Sequence, residues 1–238
     1  AVTSCHKGGT SDDADHLVIL HTNDTHSTIE PDRHDMGGVA RRKVLIDSVR
    51  GVRQNVMLVD AGDAVQGSLY YTLFNGEVER KLMNALGYDI QILGNHEFDK
   101  GMDELAAQWK QLDATRLSTN YDLTGTPLDG LFEPSVVKEV NGHKVGFIGI
   151  NLNPEGIVSG PNYEGVKYND AVEAANAEAA RLKAQGVERV IAVTHIGYDN
   201  DNDYSDVKLA EASKDIDIII GGHAHTTVDP AKAEPACR

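Results

Sequence analysis

Asp217-Ile218-Ile219-Ile220-Gly221-Gly222-His223-Ala224-His225-Thr226 decides how the rest of the chain is read. An apolar run empties into two glycines, and two imidazoles follow one residue apart. The run reads as a buried strand, and the glycines as a loop at its carboxyl edge. In extended backbone, residues i and i+2 point the same way, so His223 and His225 are expected to reach one small volume. Histidine is the commonest metal ligand. Taken alone, the stretch equally suits two solvated loop histidines.

Working outward, the same pattern recurs upstream. A short apolar run at residues 17–20 leads into Asn23-Asp24-Thr25-His26. Residues 56–59 lead into Asp60-Ala61-Gly62-Asp63, residues 90–93 into Gly94-Asn95-His96-Glu97-Phe98-Asp99, and residues 190–193 into Thr194-His195. Between these runs lie helical patterns over residues 38–52, 70–86 (interrupted near Asn75-Gly76), 101–112, 171–185 and 206–213. Strands alternating with helices predict an α/β domain with buried strands. In the middle, β-rich residues 135–140 and 143–150 flank Asn141-Gly142, a hairpin signal because both turn residues tolerate positive φ. Residues 151–168 read as a loop, and no internal repeat is present.

Five predicted strands thus end in residues of one chemical kind: Asp24 and His26, Asp63, Asn95 with His96, His195, and finally His223 and His225. Each has a plain structural explanation. Asp24 could form a turn, Asp63 could cap a helix, Asn95 could hold a left-handed turn, and His195 could sit satisfied in the core. Ligands of open α/β sheets collect at the carboxyl ends of strands, and five such coincidences at one end argue for a shared metal site. The donors exceed what one ion requires. They suit two divalent ions, with Asp63 as the candidate bridge. A mixed nitrogen and oxygen set without thiolate favours Zn, Mn, Fe or Co over Ca or Mg. Two such ions can lower the pKa of water and clamp both oxygens of an in-line phosphoryl displacement.

The chain has 238 residues and a formal charge of -15, which disfavours a nucleic-acid partner. No apolar run approaches membrane-spanning length. Residues 1–16 are polar and read as a flexible tether, leaving residues 17–238 as the catalytic domain. Two cysteines, Cys5 and Cys237, fit neither a disulfide framework nor a zinc-ribbon spacing. Val2-Thr3-Ser4-Cys5 resembles the junction of a bacterial lipoprotein. That implies a lipid anchor at Cys5 and a place in the bacterial cell envelope, periplasmic or lipid-anchored. Asp199-Asn200-Asp201-Asn202-Asp203 starts like an EF-hand loop, but Tyr204 replaces the turn glycine and Ala210 stands where the bidentate Glu belongs. It reads as a solvated acidic loop.

The ordered set Asp-x-His, Gly-Asp, Gly-Asn-His-Glu, a lone His and Gly-His-x-His resembles the calcineurin-like metallophosphoesterase superfamily. The flanks His21-Thr22-Asn23-Asp24-Thr25-His26-Ser27, Gly62-Asp63-Ala64-Val65-Gln66-Gly67-Ser68 and Met83-Asn84-Ala85-Leu86-Gly87-Tyr88-Asp89 narrow it to the N-terminal domain of 5′-nucleotidases and UDP-sugar hydrolases. The resemblance implies a four-layer α/β/β/α sandwich of two facing mixed sheets. It implies that Asp24, His26, Asp63 and His225 hold one ion, and that Asp63, Asn95, His195 and His223 hold the other. It assigns His96 and Asp99 as a catalytic pair, and the spacing agrees, since Asp99 can orient one ring nitrogen of His96. The expected activity is hydrolysis of a small-molecule phosphate monoester, a 5′-nucleotide in the leading reading. A nucleotide-sugar or cyclic-nucleotide diesterase is the first alternative, and a metal-bearing half that needs a separately encoded substrate-binding domain is the second. The family's further C-terminal strands and nucleotide-binding domain have no counterpart in these residues.

Overall fold

A computed structural model of the chain describes residues 16–200 and 202–227. Cys5, Cys237 and most of the tether lie outside these residues. Two four-stranded sheets form the centre. The first runs β1 (Val18–Thr22), β2 (Val56–Asp60), β3 (Ile90–Ile92), β4 (Thr115–Leu117) in spatial order, and every pairing is parallel. The second has the order β10 (Ile218–Gly221), β9 (Arg189–His195), β7 (His143–Asn151), β6 (Ser135–Val140). Its β10, β9 and β7 are parallel, and β6 returns antiparallel. The β6–β7 turn is the expected two-residue hairpin, with Asn141 at φ 50° and Gly142 at φ 83°.

Three apolar layers hold the sheets and helices together. Met57, Val59, Ile90 and Ile92 of the first sheet pack against Val145, Phe147, Ile191 and Val193 of the second. On the outer side of the first sheet lie α1 (Val39–Val52), α3 (Glu77–Leu86) and α4 (Met102–Trp109), which bury Ile46, Met83, Leu86, Leu105 and Trp109. On the outer side of the second lie α5 (Ala171–Ala184) and α6 (Asp206–Ala212). In α5, Ala171, Ala175 and Ala179 recur every four residues on one face and are fully buried, so the helix backbone can approach the sheet closely. Asp170 caps its first turn by accepting the Glu173 N–H at 2.8 Å. This arrangement is the four-layer α/β/β/α sandwich. Among the described residues no helix is long and apolar enough to cross a membrane.

Most expected elements fall within a residue or two of their predicted bounds, and the break at Asn75-Gly76 does separate α2 (Leu69–Phe74) from α3. Three strands were not anticipated. β4 is three residues long, and β5 (Tyr121–Asp122) and β8 (Lys167–Tyr168) are two each, too short to show a period. β8 and a 3-10 turn at Gly160–Tyr163 lie inside the stretch read as loop.

Candidate metal centre

Parallel pairing delivers the carboxyl ends of β1, β2 and β3 to one edge of the first sheet, and those of β9 and β10 to one edge of the second. Side chain to backbone bonds join the two edges. His195, at the end of β9, donates from Nδ1 to the carbonyl of Ala61 at 2.7 Å. The N–H of His223 donates to both carboxylate oxygens of Asp24, at 3.0 and 2.9 Å. Gly222 makes this crossing possible, because a Cβ there would stand 2.8 Å from the Ala61 carbonyl and 3.0 Å from His195 Nδ1.

The side chains gather into overlapping groups. Asp24, His26 and His225 form one, with 3.0 Å between the Nε2 atoms of His26 and His225 and 3.5 Å from His225 Nε2 to Asp24 Oδ1. Asp63, His195 and His223 form another, with His195 Nε2 3.1 Å from Asp63 Oδ2. Asp63 also belongs to a group with His26 and His96, and its Oδ2 lies 4.0 Å from His26 Nε2. Its carboxylate therefore stands between the two trios. Two donors on one tetrahedral ion at ~2.0–2.2 Å lie roughly 3.3–3.6 Å apart, so these spacings suit ligands converging on a cation.

His223 and His225 do not share one volume as extended backbone would require. Both have left-handed backbone, φ 82° and 50°, so the loop turns between them and sends one ring to each trio. Asp24, His26 and Asp63 are left-handed too, at φ 48°, 43° and 54°. Non-glycine residues adopt this region rarely, and such strain clusters at functional sites. Asn95 is not among them. It is right-handed, at φ -73° and ψ -33°, so it does not hold a left-handed turn. Nor does Asp63 cap a helix, since the next one, α2, is capped by Ser68.

Two side-chain atoms of the residues singled out in the sequence are buried without a hydrogen-bond partner: His195 Nε2, within this cluster, and Asn95 Oδ1, one residue before the His96 whose N–H donates to Asp63. With Nδ1 of His195 donating to Ala61, Nε2 of the neutral ring is a lone pair facing the Asp63 carboxylate. His26 is pinned the same way, its Nδ1 standing 3.2 Å from Gln66 Oε1, which leaves its Nε2 lone pair directed inward. Lone pairs aimed at carboxylates need a positive charge between them. Burial lowers the pKa of His195, but the Asp63 carboxylate outweighs it and pushes it up to about 9. Burial likewise raises Asp63, yet His195 and the His96 N–H bring it below the ordinary carboxylate range.

His96 stands at the rim. Its Nδ1–H donates to Asp99 Oδ2 at 2.9 Å, and this bond raises the pKa of the ring. Its ring meets that of His26 edge to face at 5.2 Å.

One residue of the quoted motifs carries a role that sequence reading missed. The fully buried carboxylate of Glu97 accepts the N–H groups of Asp63 at 2.9 Å, Ala64 at 3.0 Å and Gly94 at 2.6 Å. It thereby ties the loop carrying Asp63 to the loop carrying Asn95. Buried Arg80 approaches Glu97 at 3.5 Å and stacks over Trp109. A signal existed: Arg80 lies on the apolar stripe of α3 with Met83, where an unpaired cation would be costly. Lys208 Nζ donates to the carbonyls of Asn200 and Asn202, which places an ammonium against the acidic loop near residue 200.

Residues 17–227 match the family model of the calcineurin-like phosphoesterases, and the chain belongs to that family. It is similar to a solved 5′-nucleotidase precursor of Thermus thermophilus, with TM-score 0.80 and 37% identity, covering 90% of this chain and 43% of that one. It is also similar to the NAD nucleotidase of Haemophilus influenzae, with TM-score 0.77 and 32% identity over 87% of this chain and 38% of that one. The 5′-nucleotidase of Bos taurus is 34% identical over 92% of this chain and 40% of its own length. The chain thus spans about 40% of the length of such curated relatives. The family is one of metal-dependent hydrolases, and the described residues include groups suited to metal.

Proposed function

We propose that this chain is the catalytic core of a binuclear phosphoesterase that hydrolyses phosphate monoesters, with 5′-nucleotides as substrates. The observation that carries the reading is the Asp63 carboxylate standing between the Asp24, His26, His225 trio and the rings of His195 and His223, with His195 Nε2 buried and without a hydrogen-bond partner. Asp24, His26, Asp63 and His225 would hold one divalent ion, and Asp63, Asn95, His195 and His223 the other. Imidazole, carboxylate and amide donors suit Zn, Mn, Fe or Co. When bound, such ions supply Lewis-acid polarisation of phosphoryl oxygens and lower the pKa of water.

The protein's own part in the chemistry centres on His96. Asp99 fixes one ring nitrogen and favours the protonated ring. The opposite N–H is then available to a phosphoryl oxygen or to the leaving oxygen. As water forms the new bond to phosphorus and the ester P–O bond breaks, a proton passing from that nitrogen to the ester oxygen would release the alcohol neutral, and the proton given up by the attacking water would restore the ring. Asp24, which accepts the His223 N–H, and Ala61, which accepts from His195, hold the two sheet edges at fixed spacing throughout.

Nucleotide preference is supported by the similarity to 5′-nucleotidases. Recognition of the nucleoside by a further substrate-binding domain, a lipid anchor at Cys5 and a periplasmic location belong to the same proposal. Acyl groups on Cys5, read by mass spectrometry of natively expressed protein, would support the anchor. For the chemistry, AMP, p-nitrophenyl phosphate, UDP-glucose and a cyclic nucleotide are offered with Mn or Zn. Turnover of the monoesters is expected, and cleavage of diesters alone would overturn the proposal. Anomalous scattering from metal-soaked crystals would count the ions and name the element.

A further inference from the structure

Asp206 opens α6 and belongs to none of the site motifs, yet it touches β9 and β10, the two strands that lead into His195 and His223. Its Oδ1 accepts the Thr194 hydroxyl at 2.5 Å. Thr194 is fully buried, is the residue before His195, and pairs in register with Gly221 of β10. The other carboxylate oxygen lies against Gly221 itself: a Cβ there would stand 1.9 Å from Asp206 Oδ2. Gly221 is two residues before His223. The start of α6 is also stitched to the stretch just beyond His195, through Asp206 N–H to the Gly197 carbonyl at 2.8 Å, while the Gly197 N–H reaches the Gly222 carbonyl at 3.2 Å.

Among the described residues no Lys or Arg stands within ion-pair distance of this half-buried acid. Burial pushes its pKa up to about 7, against the Thr194 hydrogen bond and the His195 charge. This carboxylate fills the space a Cβ at Gly221 would need, the three nearest atoms to that position all being its own. Resting on the binuclear reading above, we propose that Asp206 is a positioning residue for the second cation: its carboxylate clamps the end of β9 to the end of β10 and so fixes His195 and His223 relative to Asp63. It reaches no substrate and acts only through Thr194 and Gly221. Partners one shell out from metal ligands commonly carry 10–100-fold of the affinity.

The test is stepwise Co(II) titration of the purified chain, followed by calorimetry and by the visible absorption of the bound ion, beside the melting temperature of the metal-free protein. Asp206→Ala is expected to weaken one of two binding steps by roughly tenfold or more and to alter the absorption of that step. The other step should stay within about twofold. Asp206→Asn, which keeps an oxygen for Thr194, should recover most of the loss. Gly221→Ala, whose new methyl would displace the carboxylate, should reproduce Asp206→Ala. Should Asp206→Ala fail to fold, Thr194→Val breaks the same contact from the other side and decides the matter. A lower melting temperature with both steps unchanged, or both steps weakened equally, would overturn the inference and leave the binuclear reading intact. A wild-type chain that took up no cation would overturn both.

Discussion

Nε2 of His195 stands 3.1 Å from Oδ2 of Asp63, although one comes from the second sheet and the other from the first. The contact exists because Ala61 and Gly222 let the two sheet edges interlock around it. It also makes Asp63 the member of the cluster with the most at stake. Asp63→Asn keeps the shape and removes the charge facing both trios. Cation uptake, measured by calorimetry and elemental analysis, should fall by more than the ~100-fold that an outer partner supplies. Uptake of two ions by this variant at near wild-type affinity would remove Asp63 from the bridging position.

His96 should behave differently. It shares a group with His26 and Asp63, but its ring is held from outside by Asp99 and it sits at the rim. His96→Ala should therefore keep its cations and lose about 10²–10⁴ in kcat, the range for a positioned acid. Asp99→Asn should cost less, since the ring remains and only its orientation and basicity change. Elemental analysis beside steady-state kinetics separates the roles. A metal-free His96→Ala protein would make His96 a ligand.

Much of this was legible in the chain, and the exceptions have physical reasons. Buried parallel strands are apolar on both faces, so β2, β3 and β9 announce themselves as short runs whose polar ends mark the site, whereas β10, read as buried from its apolar run, is an edge strand with Ile218 exposed. The Asn141-Gly142 hairpin was visible because turn chemistry is local. The division of His223 and His225 between two trios follows from the family resemblance but not from the strand period, which says nothing about a loop whose residues turn left-handed. Glu97 and Asp206 were missed for a related reason. Glu97 reaches a backbone N–H 34 residues away and Asp206 a hydroxyl 12 residues away, and no spacing within one element records that.

Glu97 is the stronger stability prediction of the two. Three backbone N–H groups and Arg80 converge on its carboxylate. Glu97→Ala strands the donors and leaves a buried guanidinium without its anion. Removing one partner of a buried pair costs about 3–5 kcal/mol, and urea denaturation should show a loss of that order. Glu97→Gln keeps an acceptor and should lose less. Equal stability of Glu97→Ala and wild type would mean that Arg80 finds another partner and that the hub is dispensable.

The last prediction concerns pH. Asp60 ends β2 fully buried, and burial pushes its pKa up to about 7, despite the hydrogen bonds from Thr22 and Gly62. The unfolded chain releases this proton near the ordinary Asp value of ~3.9. Between those limits the folded state binds more protons than the unfolded one, so stability falls as pH rises. The contribution is fully present below about 4 and is lost on passing through about 7. Asp60→Asn stays neutral in both states and removes this slope. Relative to wild type, the variant should therefore gain stability as pH is raised from 5 to 8, by up to roughly 2–3 kcal/mol. Urea denaturation of both proteins at several pH values reads the difference directly. A difference that stays flat across that window would show Asp60 ionised in the fold, with Thr22 and the Gly62 N–H sufficient to hold its charge.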